Sequence, residues 1–221
     1  MKVDTSAGAL NFLLDSGASS SVLNLEAMQR LGVTPGERTR VQRVGEKVAA
    51  CRVKDFHGTL AGIPLGPTPL AMDLSATSAT CSHRIDGLVG QDFFRGKILQ
   101  IDFKKQELRL LDHTNPTPCC AVLRLRLDHQ ALCVPLSVNG SSIQWTRLDT
   151  GCDDALHWVG HSGHGDRDSV KLGEEQVDDV KVAWHAREIF PDEAGLLGNG
   201  VLSNYRVTID TVAGRVLLQR S

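Results

Sequence analysis

Two short acidic motifs are the residues of this 221-residue chain best suited to chemistry. Asp15-Ser16-Gly17 follows the apolar run Leu10–Leu14, and Asp149-Thr150-Gly151 follows Ile143–Leu148. Each run predicts a strand that holds the carboxylate at the end of a rigid element, and the glycine permits close backbone approach. A carboxylate held in this way could do acid–base chemistry. A single copy would equally fit an ordinary Asx turn, so the second copy carries the argument.

The two motifs belong to a longer internal repeat. Asp149 lies 134 positions after Asp15, and the segment Ile85–Gly90 recurs as Glu193–Gly198 at an offset of 108 positions. Between these landmarks the first half is therefore longer than the second by 134 minus 108, or 26, residues. Self-similarity of this kind predicts two halves with one structural plan and an insertion in the first half.

With both motifs and both glycine-rich segments, the chain resembles the aspartic peptidases of the pepsin and retropepsin type. The resemblance rests on Leu13–Ser19, Leu148–Asp154 and the two repeated segments, and it spans almost the whole chain. It implies an all-β, bilobal fold with one or two short helices, pseudo-twofold symmetry and an active-site cleft between the lobes. Viral members carry one motif per chain and dimerise, whereas pepsin-like members are considerably longer. We therefore expect a compact, single-chain, retropepsin-like protease of bacterial type that is a monomer.

The resemblance implies that Asp15 and Asp149 are the catalytic residues of an aspartic endopeptidase. Two neighbouring carboxylates share one proton, because both cannot ionise cheaply. The ionised carboxylate would take a proton from a water molecule while the protonated one polarises the scissile carbonyl. Water attacks directly, so we expect no cofactor and no metal. The neighbouring residues would support the two loops: Ser16, Gly17, Thr150 and Gly151.

The extra length of the first half is expected to form a flap. A β-hairpin is predicted around Val41–Val48, with substrate-binding residues Val44 and Gly45 at its tip. In the family a flap closes over the substrate and excludes water. The peptide or protein substrate would bind as an extended strand. The flap tyrosine of pepsin-like enzymes has no counterpart, because the single tyrosine of the chain is Tyr205.

A second departure from the family concerns the residue after each motif. Pepsin-like enzymes have Ser or Thr there, whereas this chain has Ala18 and Cys152. Loss of a hydroxyl donor should favour the protonated dyad and raise its apparent pKa. The sequence therefore predicts a mildly acidic pH optimum rather than a strongly acidic one.

The repeat also predicts how the chain is divided. The N-terminal lobe is expected at residues 1–113 and the C-terminal lobe at 114–221, because residues 113–118 contain two prolines among polar residues. Asn24 is expected to cap a helix that Gly32 ends. Hairpins are predicted at 98–111 and 206–218, and the repeated Asp102 and Asp210 should have structural roles near their turns.

Composition excludes several classes of protein. The 24 basic and 26 acidic residues give a formal net charge of −2, which offers no electrostatic reason to bind nucleic acid or an anionic membrane. No apolar run approaches the roughly 18–20 residues of a membrane span. The six cysteines leave two alternatives open, three disulfides or six thiols. The disulfide alternative, with a start that looks trimmed, slightly favours a periplasmic or secreted protein.

Other interpretations of the same residues remain open. The chain could be a catalytically inactive peptide-binding module on the same fold, or a structural or metal-binding β protein in which the motifs are coincidental. His157, His161, His164 and Asp166 could form a metal site, but their spacing matches no strong template and the Gly-rich setting favours a solvated loop.

Overall fold

The computed structural model describes residues 1–43, 46–65, 70–81, 83–114, 120–128, 131–161 and 167–220. Within these ranges the chain is mostly β, with four short helices, which confirms the all-β class. The sequence predicted one or two short helices. Besides the helix that follows Asn24, the described residues contain three helices of four to six residues each. None of the helices described is long and apolar enough to cross a membrane. The chain divides into two compact units, Met1–Phe93 and Phe94–Ser221.

The first unit is built on one nine-stranded sheet with the strand order β4-β5-β8-β3-β9-β2-β1-β6-β7. Its strands are β1 Lys2–Thr5, β2 Gly8–Leu14, β3 Val22–Asn24, β4 Pro35–Arg43, β5 Glu46–Val53, β6 Gly58–Leu60, β7 Ile63–Pro64, β8 Leu70–Met72 and β9 Gly87–Val89. Its helices are α1 Leu25–Arg30 and α2 Ser75–Thr80, and α3 Gln91–Phe94 lies at its end.

Local sequence explains the two elements nearest the first motif. In β2, Leu10, Phe12 and Leu14 alternate with less buried residues, so one face of the strand enters the core. Full burial of each such side chain contributes about 1.5–3 kcal/mol. Helix α1 begins as predicted, because the Asn24 side chain accepts a hydrogen bond from the Glu26 backbone N–H at 3.4 Å.

Strands β4 and β5 form the antiparallel pair expected around residues 41–48. Their pairing runs from Pro35 opposite Val53 to Arg43 opposite Glu46. The predicted tip residues Val44 and Gly45 lie outside the described residues, so the substrate-binding role of this hairpin stays a prediction.

The second unit contains two sheets. The five-stranded sheet has the order β11-β10-β21-β22-β12, and the larger one has the order β18-β17-β14-β15-β20-β16-β19, with β13 paired to β14. The strands are β10 Ile98–Asp102, β11 Glu107–Leu111, β12 Cys120–Arg124, β13 Arg126–Asp128, β14 Ala131–Val138, β15 Gln144–Leu148, β16 Leu156–Val159, β17 Asp168–Leu172, β18 Glu175–Val180, β19 Val182–His185, β20 Gly195–Leu197, β21 Tyr205–Asp210 and β22 Arg215–Arg220, and the helix is α4 Asn199–Leu202.

Both predicted hairpins are present, and they pair with each other. β10 and β11 form the first, β21 and β22 the second, and β10 lies antiparallel to β21. Gln100 stands opposite Thr208, its own equivalent 108 positions later, and its amide donates to the threonine hydroxyl at 3.2 Å. The pairing of β10 with β21 is therefore centred on two equivalent residues. The division into lobes 1–113 and 114–221 follows the sequence repeat and stays a prediction.

The cysteines decide whether the chain contains three disulfides. Cys51 is a buried, unbridged thiol, and Cys152 is also unbridged. Three disulfides would require all six cysteines, so the three-disulfide alternative is wrong.

Candidate active site

The first acidic loop begins where β2 ends. The Asp15 backbone N–H donates to the Val89 carbonyl of β9 at 2.9 Å, which fixes the start of the loop. The Asp15 carboxylate oxygen Oδ1 accepts from the backbone N–H groups of Gly17 at 3.0 Å and Ala18 at 2.9 Å. Ser16 is completely buried. The backbone of the loop therefore holds this carboxylate in one orientation.

The second acidic loop repeats this arrangement at the end of β15. The Asp149 N–H donates to the Leu197 carbonyl of β20 at 2.9 Å, and the Gly151 N–H donates to Asp149 Oδ1 at 2.8 Å. Thr150 is buried, and its carbonyl accepts from the Asn199 side-chain amide at 2.9 Å. The structure thus gives both predicted catalytic aspartates a bond from the glycine of their motif, and Asp15 a further one from Ala18.

The glycine-rich segments lie directly beside these loops. β9 is parallel to β2, and β20 is parallel to β15. A Cβ at Gly90 would overlap the Ser20 backbone, and one at Gly198 would overlap the Asp154 carbonyl. Only glycine permits this close approach. The repeated segments therefore position the acidic loops.

The offsets found in the sequence recur in single hydrogen bonds. The Gln91 N–H donates to the Ala18 carbonyl at 2.8 Å, and the Asn199 N–H donates to the Cys152 carbonyl at 2.7 Å. The donor Asn199 lies 108 positions after the donor Gln91, and the acceptor Cys152 lies 134 positions after the acceptor Ala18. The two units thus contain the same loop framework.

A serine–aspartate contact supports only the first loop. The Ser21 N–H and hydroxyl both donate to Asp92 Oδ1, at 2.8 and 2.9 Å, and the Ser21 hydroxyl accepts from the Gly90 N–H at 3.1 Å. The equivalent residues of the second loop are Ala155 and Gly200. Sequence reasoning missed this pair. The sequence did contain a signal for it, because Ser21 and Asp92 are both polar whereas their equivalents in the other half are small residues.

A buried ion pair stands beside the second loop. The Arg147 guanidinium donates to both carboxylate oxygens of Glu193, at 2.7 and 2.6 Å, and lies 3.6 Å from the centre of the Phe190 ring. Both charged side chains are at least nine-tenths buried. The equivalent residues of the first half are Leu13 and Ile85. Sequence reasoning missed this pair too, although the exchange of an apolar pair for opposite charges was visible in the repeat.

Cys152 follows the second motif in the half-buried part of the loop. Burial, together with the negative charge of Asp149, raises the pKa of its thiol to about 12. The thiol therefore carries its proton at neutral pH and is a poor nucleophile.

The predicted site residues thus fall into two groups. Ser16 and Gly17 surround Asp15 in the first unit, and Thr150 and Gly151 surround Asp149 in the second. The predicted flap residues Val44 and Gly45 lie outside the described part of the chain. His157, a member of the metal site considered above, contacts Asp154 and His185, while His164 and Asp166 also lie outside the described residues.

Comparison with known proteins concerns the first acidic loop, which contains Asp15. Residues 1–96 match the family model described as "gag-polyprotein putative aspartyl protease". The match supports a retropepsin-like aspartyl protease family. It covers the Asp15 loop and the glycine-rich segment of β9, the two parts that the geometry joins. No match to the chain is found among curated proteins.

Proposed function

We propose that this protein is an aspartic endopeptidase whose catalytic dyad is Asp15 and Asp149. The observation that carries the proposal is the shared hydrogen-bond framework of the two acidic loops, with each Oδ1 held by the N–H of Gly17 or Gly151. A loop that only reversed the direction of the chain would not need the same hydrogen bonds in both halves. The match of residues 1–96 to an aspartyl protease family supports the same conclusion.

In the proposed mechanism the two carboxylates share one proton. The ionised carboxylate removes a proton from a water molecule, and the protonated one donates its proton to the carbonyl oxygen of the scissile peptide. The oxygen of that water bonds to the carbonyl carbon as these protons move, which gives a tetrahedral species with two hydroxyl groups. The carboxyl that took the water proton then gives it to the nitrogen, the other carboxylate takes a proton from one hydroxyl, and the C–N bond breaks, so that the amine leaves and the dyad again holds one proton. The backbone donors keep the carboxylates oriented and require no rearrangement during the reaction.

The substrate would be an extended peptide covered by the β4–β5 hairpin. Main-chain hydrogen bonds would hold the peptide, and alternate side chains would enter pockets on either side. In this proposal Val44 and Gly45 contact the substrate from the hairpin tip. Both loops belong to one chain, so a single polypeptide would supply both catalytic carboxylates. In this proposal the protein is a single-chain protease of bacterial type.

The test is hydrolysis of a peptide library by the full chain. We expect Asp15→Asn and Asp149→Asn each to lower kcat/KM by on the order of 10²–10⁴-fold, the usual contribution of a positioned acid or base. A peptide with a statine residue, which resembles the tetrahedral species, should inhibit the parent. Asp178→Asn serves as the matched control, because Asp178 is an exposed carboxylate of the second unit.

Two results would decide against the proposal. Full activity in either loop variant would remove Asp15 or Asp149 from catalysis. A parent protein that binds peptides but cleaves none would instead identify an inactive peptide-binding module.

A further inference from the structure

The loop that follows Asp149 contains a cluster of three metal-ligating side chains. Cys152 Sγ, a carboxylate oxygen of Asp154 and a ring nitrogen of His157 lie within 4.8 Å of one another. Asp154 Oδ2 and His157 Nε2 are 2.9 Å apart. All three residues belong to the second unit. Such distances approach the spacing of ligands around one tetrahedral ion, for which metal–ligand bonds are about 2.0–2.3 Å.

We propose that Cys152, Asp154 and His157 bind a Zn²⁺ ion that regulates the proposed peptidase. A thiolate, an imidazole and a carboxylate are the three ligand types that zinc takes in proteins. Binding replaces the thiol proton by the metal and releases that proton to solvent. The proposal departs from the sequence-based expectation of no metal.

A fourth residue, His185, orients the histidine of this site. His185 Nε2 lies 2.8 Å from His157 Nδ1, and the two rings stack with their centres 5.1 Å apart. When His157 Nε2 binds a metal, its Nδ1–H donates to His185, which fixes both the tautomer and the ring plane. In the parallel pairing of β16 with β19, His157 stands opposite Ala183 and Val159 stands opposite His185. Residues two apart share one face of a strand, so His157 and His185 lie on the same face of this pair.

The backbone of the site is held in place before any ion binds. The Cys152 carbonyl accepts from the Asn199 N–H at 2.7 Å, and the Asp154 carbonyl accepts from the Gly200 N–H at 3.1 Å. Asp154 is two-thirds exposed, whereas His157 is mostly covered. An ion could therefore enter from solvent and keep one position for water, as zinc sites with three protein ligands do.

The site is close to Asp149 along the chain and in space. The Cys152 N–H donates to the Asp149 carbonyl at 3.4 Å, so the metal would be bound by the residue that closes the acidic loop. A divalent cation there adds positive charge beside a carboxylate that has to exchange a proton. We therefore expect Zn²⁺ to inhibit peptide hydrolysis reversibly. This part of the inference rests on the proposed function.

The metal site is tested by titrating the full chain with Co²⁺, which reports thiolate ligation by a charge-transfer absorption. We expect one Co²⁺ per chain, loss of the absorption in Cys152→Ala, and at least about tenfold weaker binding in Asp154→Asn and His157→Gln. His185→Phe should weaken binding by about 10–100-fold. Asp153→Asn and His161→Gln are matched controls, since both residues are exposed neighbours outside the cluster. Equal binding by the parent and Cys152→Ala, or no thiolate absorption in the parent, would overturn the site.

Regulation is tested separately by adding Zn²⁺ to the peptidase assay. Zn²⁺ should inhibit the parent, a chelator should restore activity, and Asp154→Asn should resist inhibition. Equal inhibition of parent and Asp154→Asn, or none at all, would overturn the regulatory role. Asp15→Asn should keep the Co²⁺ absorption, so a failure of the proposed peptidase activity leaves the result on the metal site unchanged.

Discussion

At the scale of single residues, backbone amides orient the two candidate carboxylates. Asp15 Oδ1 accepts from Gly17 and Ala18, and Asp149 Oδ1 accepts from Gly151. The position after each glycine therefore decides whether a side chain adds a further donor. Ala18 has none to offer, and Cys152 carries a protonated thiol, which is a weak donor.

A hydroxyl at position 152 should move the pH dependence of catalysis. We expect Cys152→Thr to shift the acidic limb of the kcat/KM profile to lower pH by about one to two units. A hydrogen bond to a charged group contributes about 1.5–3 kcal/mol, and one pKa unit corresponds to 1.36 kcal/mol. The profiles are measured with a chelator present, and Cys81→Ser in the first unit is the control. An unchanged acidic limb would contradict this role.

At the scale of elements, the two halves use different contacts at equivalent positions. The strands before the acidic loops carry Leu13 in one half and Arg147 in the other, and the glycine-rich segments begin with Ile85 and Glu193. The ion pair is bidentate and buried. Desolvation of two charges offsets much of their attraction, so such a pair need not stabilise more than an apolar pair does.

This difference gives a prediction for a double substitution. Arg147→Leu alone should lower the free energy of unfolding by about 3–5 kcal/mol, because it leaves the Glu193 charge buried without its partner. Arg147→Leu with Glu193→Ile copies the apolar pair of the first half and should regain most of that loss. Urea unfolding measures both. A double variant that is no more stable than the single one would show that the ion pair stabilises the unit more than an apolar pair does.

The hairpin β21–β22 contains a second buried charge whose role can be measured. Burial acts to raise the pKa of Asp210, but hydrogen bonds from the Ala213 N–H, the Thr114 hydroxyl and Arg215 outweigh it and lower the pKa. A lowered carboxyl pKa stabilises the folded state above the unfolded-state value of about 3.9. That stabilisation is lost as the pH falls through the lower folded-state pKa.

Asp210→Asn should therefore lower the free energy of unfolding at pH 7 by about 1–3 kcal/mol. The difference from the parent should shrink below about pH 4 as the parent carboxylate takes up its proton. Asp102→Asn is the control at the equivalent position. There the carboxylate accepts from the Lys105 backbone N–H at 3.1 Å and forms an ion pair with the Lys105 ammonium at 3.8 Å. A difference that stays constant with pH would show that the charge of Asp210 is not what stabilises the turn.

At the scale of the whole molecule, the proposed peptidase needs one acidic loop from each unit of the same chain. A viral-type enzyme would instead combine two identical chains. Mixing Asp15→Asn with Asp149→Asn should therefore restore no peptide hydrolysis, and specific activity should not depend on protein concentration. Recovery of activity on mixing would mean that the dyad forms between chains.

The sequence alone predicted the parts of the molecule that repeat. The two offsets located both acidic loops, the glycines beside them and the hairpins that hold Gln100 opposite Thr208. Each of these depends on local pattern or on similarity between halves, which a single sequence contains. The apolar period of β2 and the Asn24 cap were visible for the same reason.

What the sequence did not predict are contacts in which the halves differ. The Ser21–Asp92 and Arg147–Glu193 pairs join residues 71 and 46 positions apart. Their formation depends on strand pairing that no local pattern specifies. The same holds for the approach of His185 to His157, which requires β19 to lie parallel to β16. The sequence pattern indicated other candidate ligands beside His157, which are His161, His164 and Asp166.

The central claim is that Asp15 and Asp149 act as one catalytic unit. The most direct test measures kcat/KM for peptide hydrolysis in the parent, in Asp15→Asn, in Asp149→Asn and in the double variant. Residues that act as a unit have strongly non-additive effects, so each single substitution should reduce activity as far as the double one. Single variants that retain most of the activity, or losses that multiply in the double variant, would contradict the dyad.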